Sequence, residues 1–214
     1  MRRTIQPEIL DGLAPDHPDA RHSRRDLRLT NALAGSHRWI ARTLPSLLRP
    51  GERALELGAG TGELGARLAA AGVAIDGLDT WPRPAGWLAA QTWHRADLRT
   101  FTGYDAYAAI VGNLIFHHFT ADELAALGAT LRRQARVVVA CEPARVRRAH
   151  TLFRLLAPLF GANHVTRHDA RVSIAAGFRD DELARALGLA APDWEVRSTT
   201  TLLGLHRLVA IRRA

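Results

Sequence analysis

Leu55-Glu56-Leu57 runs directly into Gly58-Ala59-Gly60-Thr61-Gly62, and a helical pattern opens at Glu63. Few architectures accommodate a short apolar strand, a glycine turn and a helix in that order. The arrangement belongs to an α/β sheet that binds a nucleotide-like ligand beyond the carboxyl end of the strand. Glycines at such a turn let the backbone approach a ligand with no Cβ in the way.

The pattern downstream agrees. Val73 to Leu78 reads as a second strand ending at Asp79, Thr92 to Arg95 as a third and Ala108 to Leu114 as a fourth. A short helix is expected over Ala85 to Gln91. Thr120-Ala121-Asp122-Glu123 has capping-box spacing, so a helix should start there and run to about Gln134. Val137 to Cys141 is an almost continuous apolar run rich in β-branched residues, as suits a strand buried on both faces. Beyond Pro143 a helix is expected over Ala144 to Phe160, a loop over Gly161 to Ser173 and a helix over Asp180 to Leu187. Trp194 to Thr201 and Leu205 to Ile211 read as a closing hairpin. The fold class is therefore α/β: a Rossmann-like open sheet of about seven strands, mostly parallel, with a C-terminal antiparallel hairpin and helices on both faces. Residues 1–50 read as an N-terminal helical arm or lid, with its helical pattern beginning at Ser23. Residues 51–214 form the main domain, and 144–178 a substrate-side insertion.

Composition narrows the function classes. The chain has 214 residues, which suits one domain, and a single cysteine, Cys141, which excludes an internal disulfide. No apolar run reaches the length of a membrane span, and the opening residues lack the apolar stretch of a signal peptide, so a cytoplasmic protein is expected. The net charge of +8 comes entirely from arginine, since the chain has no lysine. The arginines are dispersed over stretches that read as helical, so solvated helix faces are expected rather than a nucleic-acid footprint. Such a field can still steer an anionic ligand.

The glycine loop has two registers. Gly60-Thr61-Gly62-Glu63-Leu64-Gly65 matches the dinucleotide pattern G-x-G-x-x-G. The register from Glu56 gives E-x-G-x-G-x-G. A carboxylate beside a pyrophosphate is repulsive, whereas it favours the sulfonium and ammonium of S-adenosylmethionine. Glu56 thus points to the second ligand.

This segment resembles motif I of the class I S-adenosylmethionine-dependent methyltransferases, of the kind that act on small molecules. The resemblance spans about residues 50–143 and, loosely, the hairpin. It implies S-adenosylmethionine as cofactor, with Glu56, Gly58, Ala59 and Gly60 around its methionine part. Asp79 would hold the ribose hydroxyls; Thr80 and Trp81 follow it, and Trp81 would lie against the adenine. Asp97 and the Leu98 amide would meet the adenine, and Asn113 would face the methionine end. The family's base-amino methyltransferases carry Asn-Pro-Pro-aromatic where this chain has Asn113-Leu114-Ile115-Phe116, which argues against a nucleic-acid acceptor.

His117-His118 resembles the histidine pair of many small-molecule members. A hydroxyl nucleophile must lose its proton, and histidine suits that work near neutral pH. One of the two is expected to be structural, and the sequence leaves open which. Glu142 could orient a histidine, bind substrate or lie in a solvated loop. His164 and His168 have i, i+4 spacing, but no metal is expected. Ser23-Arg24-Arg25-Asp26-Leu27 and Arg167-His168-Asp169-Ala170 resemble segments of methyltransferases from aromatic polyketide and phenolic-lipid pathways. The expected activity is O-methylation of a small aromatic or lipid-like acceptor. C-methylation, a nicotinamide-dependent oxidoreductase and a non-catalytic cofactor-binding protein stand as alternatives.

Overall fold

Alternating apolar runs and glycine turns place the central strands side by side. A computed structural model describes residues 2–14 and 16–213. Its strands are β1 (Arg53–Leu57), β2 (Ala74–Asp79), β3 (Trp93–Arg95), β4 (Ala109–Asn113), β5 (Val137–Pro143), β6 (Trp194–Thr200) and β7 (Leu205–Arg212). They form one sheet in the order β3-β2-β1-β4-β5-β7-β6. Pairings from β3 to β5 are parallel, and β7 joins antiparallel to β5 and β6. The order reverses at β1, so the crevice beside β1 and β4 is where such a sheet takes its ligand.

The helices are α1 (Pro18–Ala34), α2 (Ser36–Thr43), α3 (Glu63–Ala70), α4 (Ala121–Gln134), α5 (Arg147–Leu156), α6 (His164–Ala176) and α7 (Glu182–Ala186). Two apolar clusters cover the two faces of the sheet. One gathers Leu124, Leu127 and Leu131 of α4 with Leu55, Ile110 and Val138. The other gathers Ile40 of α2 and Leu64 and Leu68 of α3 with Ala54, Val111 and Val139. The spacing of 124, 127 and 131 sets one stripe of α4 against the sheet, and each buried leucine contributes roughly 1.5–3 kcal/mol. The Thr120–Glu123 capping box closes in both directions at the start of α4.

Three segments depart from expectation. Residues 85–91 form turns rather than a helix. Pro82, Pro84 and Gly86 oppose helix there, and the buried Trp87 ring holds the segment against Trp93. Gly161 to Ser173 is not a loop, because α6 begins at His164. Gly161 (φ +69°) ends the preceding turn, and the Asn163 side chain caps α6 by accepting from Thr166 N at 2.9 Å. The N-terminal helix starts at Pro18, earlier than Ser23, and Gly35 (φ +70°) breaks it from α2. Among the described residues, no helix is long and apolar enough to cross a membrane.

Candidate active site

The carboxyl ends of β1, β2 and β4 open onto a cavity of about 840 Å³. Glu56, Gly58, Ala59, Gly60, Asp79, Thr80, Trp81, Asp97, Leu98, Asn113 and His118 all line it. His117 and Glu142 do not; both are buried beneath its floor.

The glycine loop is tied to the end of β2. The amides of Gly58 and Ala59 donate to Leu78 O, and Gly60 N donates to Asp79 Oδ2 at 2.7 Å. Gly58, Gly60 and Gly62 all adopt positive φ, which other residues rarely tolerate. A Cβ on Gly58 would stand 2.6 Å from Ile115, whereas one on Gly60 would meet only Gly58 O at 3.9 Å. The loop is thus closed on its protein side and open towards the cavity. Asp79 Oδ1 accepts from Trp81 N, so backbone amides fix its carboxylate at the rim. Trp81 lies under the Arg24 guanidinium of α1, 5.0 Å from the ring centre. Asp97 also lies at the cavity, with its carboxylate held by Arg99 at 2.6 Å.

Glu56 is 4% exposed, and its Oε2 has no hydrogen-bond partner. Burial pushes its pKa up to about 8; the Gly65 amide counters this and the Asp79 charge adds to it. Asn113 Oδ1 is likewise buried without a partner, although its Nδ2 lies 3.4 Å from His37 Nε2. Burial, reinforced by the Arg67 charge, lowers His37 to about 4, so it is neutral. Two orphaned acceptors in one cavity call for a ligand with N–H donors or positive charge.

The far end of the cavity is built at the end of β4. Leu114 takes φ +58°, a strained value for a branched side chain. A short 3₁₀ turn follows over Phe116–His118, anchored by the fully buried Phe116. Glu142 of β5 caps this turn. Its Oε1 accepts from Ile115 N and Phe116 N at 2.9 and 3.0 Å, and its Oε2 accepts from His117 N at 3.2 Å and His117 Nδ1 at 2.7 Å. The solvated-loop reading of Glu142 fails, because its side chain is wholly buried and orients a histidine.

The other face of His117 meets the N-terminal arm, where Glu8 Oε1 lies 3.3 Å from Nε2. Burial opposes the charge on His117, but the bonds and charges of Glu142 and Glu8 outweigh it and lift His117 to about 9. Both ring nitrogens are therefore protonated and engaged near neutral pH. His118 stacks on this imidazolium at 4.2 Å, is about a third exposed and faces the cavity. Burial and the neighbouring positive charge lower its pKa below the usual histidine range. The two rings thus differ in setting: His117 is buried between two carboxylates, and His118 is partly exposed at the cavity.

Glu8, His117 and His118 bring ligating atoms within 4.8 Å of one another. Glu8 and His117 of this group also form an ion pair with each other. His164 is exposed on α6, and His168 Nδ1 lies 3.0 Å from Asp169.

Sequence reasoning named residues 1–50 as an arm or lid but not which of them reach the site. Leu10 and Asp11 line the cavity beside Leu27, Arg28 and Asn31 of α1. Asp169 of α6 holds the arm by accepting from Ile9 N and Leu10 N at 2.8 and 3.0 Å. Ser173 donates to Glu8, and Arg3 to the carbonyls of His117 and Phe119. The N-terminal motif meets the residue just before the insertion motif: Asp26 accepts from Thr166 Oγ1 at 2.8 Å. Glu8 lies in a polar stretch with no periodicity to mark it, and His37 in a helix where a core role was as natural.

No family model matches the chain, and none of the curated proteins compared with it does. Solved structures match it closely in fold. The plantazolicin methyltransferase BpumL, in complex with SAH, superposes with a TM-score of 0.68 at 13% identity, covering 93% of this chain and 92% of its own. Magnesium protoporphyrin IX methyltransferase (ChlM) from Synechocystis PCC 6803, with bound SAH, gives 0.54 at 18% identity, covering 86% and 82%. A structure described under the conversion of a disulfide bond into a thioacetal group during echinomycin biosynthesis gives 0.56 at 19%, covering 83% and 81%. The chain has the fold of the class I S-adenosylmethionine-dependent methyltransferases.

Proposed function

We propose that this protein transfers a methyl group from S-adenosylmethionine to a small acceptor, with His118 as the general base. The observation that carries the reading is one cavity with two orphaned acceptors, Glu56 Oε2 and Asn113 Oδ1, at one end and a neutral histidine at the other. The ammonium of the cofactor's methionine end supplies donors for both acceptors. Its positive charge also favours the ionised form of Glu56. Asp79 at the rim suits the ribose hydroxyls, and Asp97 with the Leu98 amide suits the adenine once Asp97 shares its carboxylate with Arg99. The bound cofactor supplies a sulfonium methyl as electrophile.

The chain's own residues do the rest. The loop and β4 fix where that methyl stands, and alignment of this kind is worth roughly 7–11 kcal/mol. His118 accepts the acceptor's hydroxyl proton as the new O–C bond forms, and the electron pair of the broken C–S bond stays on sulfur. His117, held positive by Glu142 and Glu8, keeps His118 unprotonated and ready. Leu10, Leu27, Ile115 and Phe119 give the acceptor end an apolar lining, which suits an aromatic or lipid-like molecule. The arm and α1 serve as the lid over this end. The same base beside an activated ring would equally serve C-methylation. A nicotinamide cofactor would set its pyrophosphate against Glu56 and Asp79.

The test is transfer of labelled methyl from S-adenosylmethionine to a panel of phenols, alkylresorcinols and quinols. Label is expected in the organic product. For an acceptor so found, His118→Ala should slow turnover about 10²–10⁴-fold with cofactor affinity kept. The unaltered chain's rate should rise with pH along a limb below the usual histidine value and stay level above it, and the variant should lack that limb. Full activity of the His118→Ala variant would remove the general base from the account.

A further inference from the structure

We propose that the face formed by α5 and the β6–β7 turn docks on an anionic lipid bilayer. Leu155 (63% exposed), Leu159 (80%), Leu202 (83%) and Leu203 (48%) are among the most exposed large apolar side chains described. Leu155 lies on α5, Leu159 on the 3₁₀ turn after it (Ala157–Phe160) and Leu202 and Leu203 in the β6–β7 turn, which touches the start of α5 and the residues before it: Arg148 donates to Thr201 O at 3.2 Å, and Ala144 N donates to Gly204 O at 2.8 Å. The solvent face of α5 carries Arg147, Arg148, Thr151, Arg154 and Leu155, while Ala149 is buried beneath. The chain has no Asp or Glu between Glu142 and Asp169, and none after Glu195. Among the described residues, Arg147, Arg148 and Arg154 form no ion pair.

Arginines beside protruding leucines are the two signals of an interfacial surface. The arginines meet lipid phosphates, and the leucines enter the boundary between headgroups and acyl chains. A protein partner would need a pocket for each leucine. A bilayer needs none, and side chains standing this far clear of their neighbours suit insertion. The proposal stands on this face alone and does not depend on the methyl-transfer reading.

Flotation of the full chain with phosphatidylcholine vesicles, with and without about 30 mol% phosphatidylglycerol, at about 0.15 M salt, tests it. The chain should float with the anionic vesicles and not with phosphatidylcholine alone. The Leu155→Glu/Leu159→Glu variant should lose affinity about tenfold or more. Leu202→Glu/Leu203→Glu should behave alike and guards against a local fault in one pair. Leu88→Glu, an exposed leucine in the β2–β3 connection at the other edge of the sheet, should bind as the unaltered chain does. Failure to float with either vesicle overturns the proposal. So does unchanged flotation of both double variants, since net charge alone would then be acting. Sedimentation showing a dimer that the double variants split, without vesicle binding, would assign the face to a second copy instead.

Discussion

At the residue scale, the decisive feature is a histidine clamped between two carboxylates and roofed by a second histidine. Glu142 spends four hydrogen bonds on the turn that carries both. This gives two adjacent, chemically identical side chains opposite electrostatic surroundings. The first is buried between negative charges that raise its pKa; the second stacks on the first's positive charge, which together with burial lowers its own. The arrangement makes stability depend on pH in a defined sense. His117 has its pKa raised to about 9 in the folded chain, so its contribution is fully present below the ordinary histidine value of about 6.5. It is lost as pH rises through 9. Glu142 is the reverse: burial works against its charge, yet His117 and the turn amides hold it below the usual carboxylate range. Its contribution is present above that range and lost as pH falls. Glu142→Gln should therefore destabilise the chain by about 3–5 kcal/mol at neutral pH, because it breaks a buried pair. It should also flatten the decline in stability between pH 6.5 and 9. Denaturant titrations across that range check both, and a steep decline retained in the variant would contradict the assigned charge on His117.

At the element scale, the arm acts as a wall of the site, and its docking is polar. Asp169 carries two backbone amides of the arm, while Glu8 binds Ser173 and faces His117. Hydrogen bonds to a charged group are worth about 1.5–3 kcal/mol each. Asp169→Ala should release the arm with little loss of the core: faster cleavage within the first residues by a dilute protease, a several-fold weaker acceptor KM, and unchanged cofactor affinity. Equal protease resistance in the variant would show that other contacts hold the arm. The sequence pattern disclosed the strands and α4 well, because period and capping residues act locally. It did not disclose α6, whose start depends on the Asn163 cap just after a glycine that suggested a break. Nor did it disclose the turns over 85–91, where tertiary burial of Trp87 decides. The arm's contacts link residues more than 100 positions apart, beyond the reach of any local signal.

At the scale of the whole molecule, the sheet order places every strand end that matters on one rim, and the switch at β1 fixes the cavity there. That the glycine loop, Asp79, Asp97 and Asn113 gather at one cavity was legible in advance, because each lies at or just beyond a strand's carboxyl end. The unlike surroundings of the two histidines were not, since they depend on which side of a 3₁₀ turn meets β5. The central claim is that this cavity takes a cationic, adenosine-bearing cofactor against Glu56. Calorimetric titration with S-adenosylmethionine, S-adenosylhomocysteine and NAD(P)H tests it most directly, on the unaltered chain and on Glu56→Gln. Because burial holds Glu56 near 8, binding at pH 7 should release a proton, seen as a dependence of the heat on the buffer's ionisation enthalpy. The account predicts binding of the first two ligands and none of the third, with roughly ten- to hundredfold weakening and no proton release in the variant. Binding of NAD(P)H alone would contradict it and make the register from Gly60 to Gly65 the functional one.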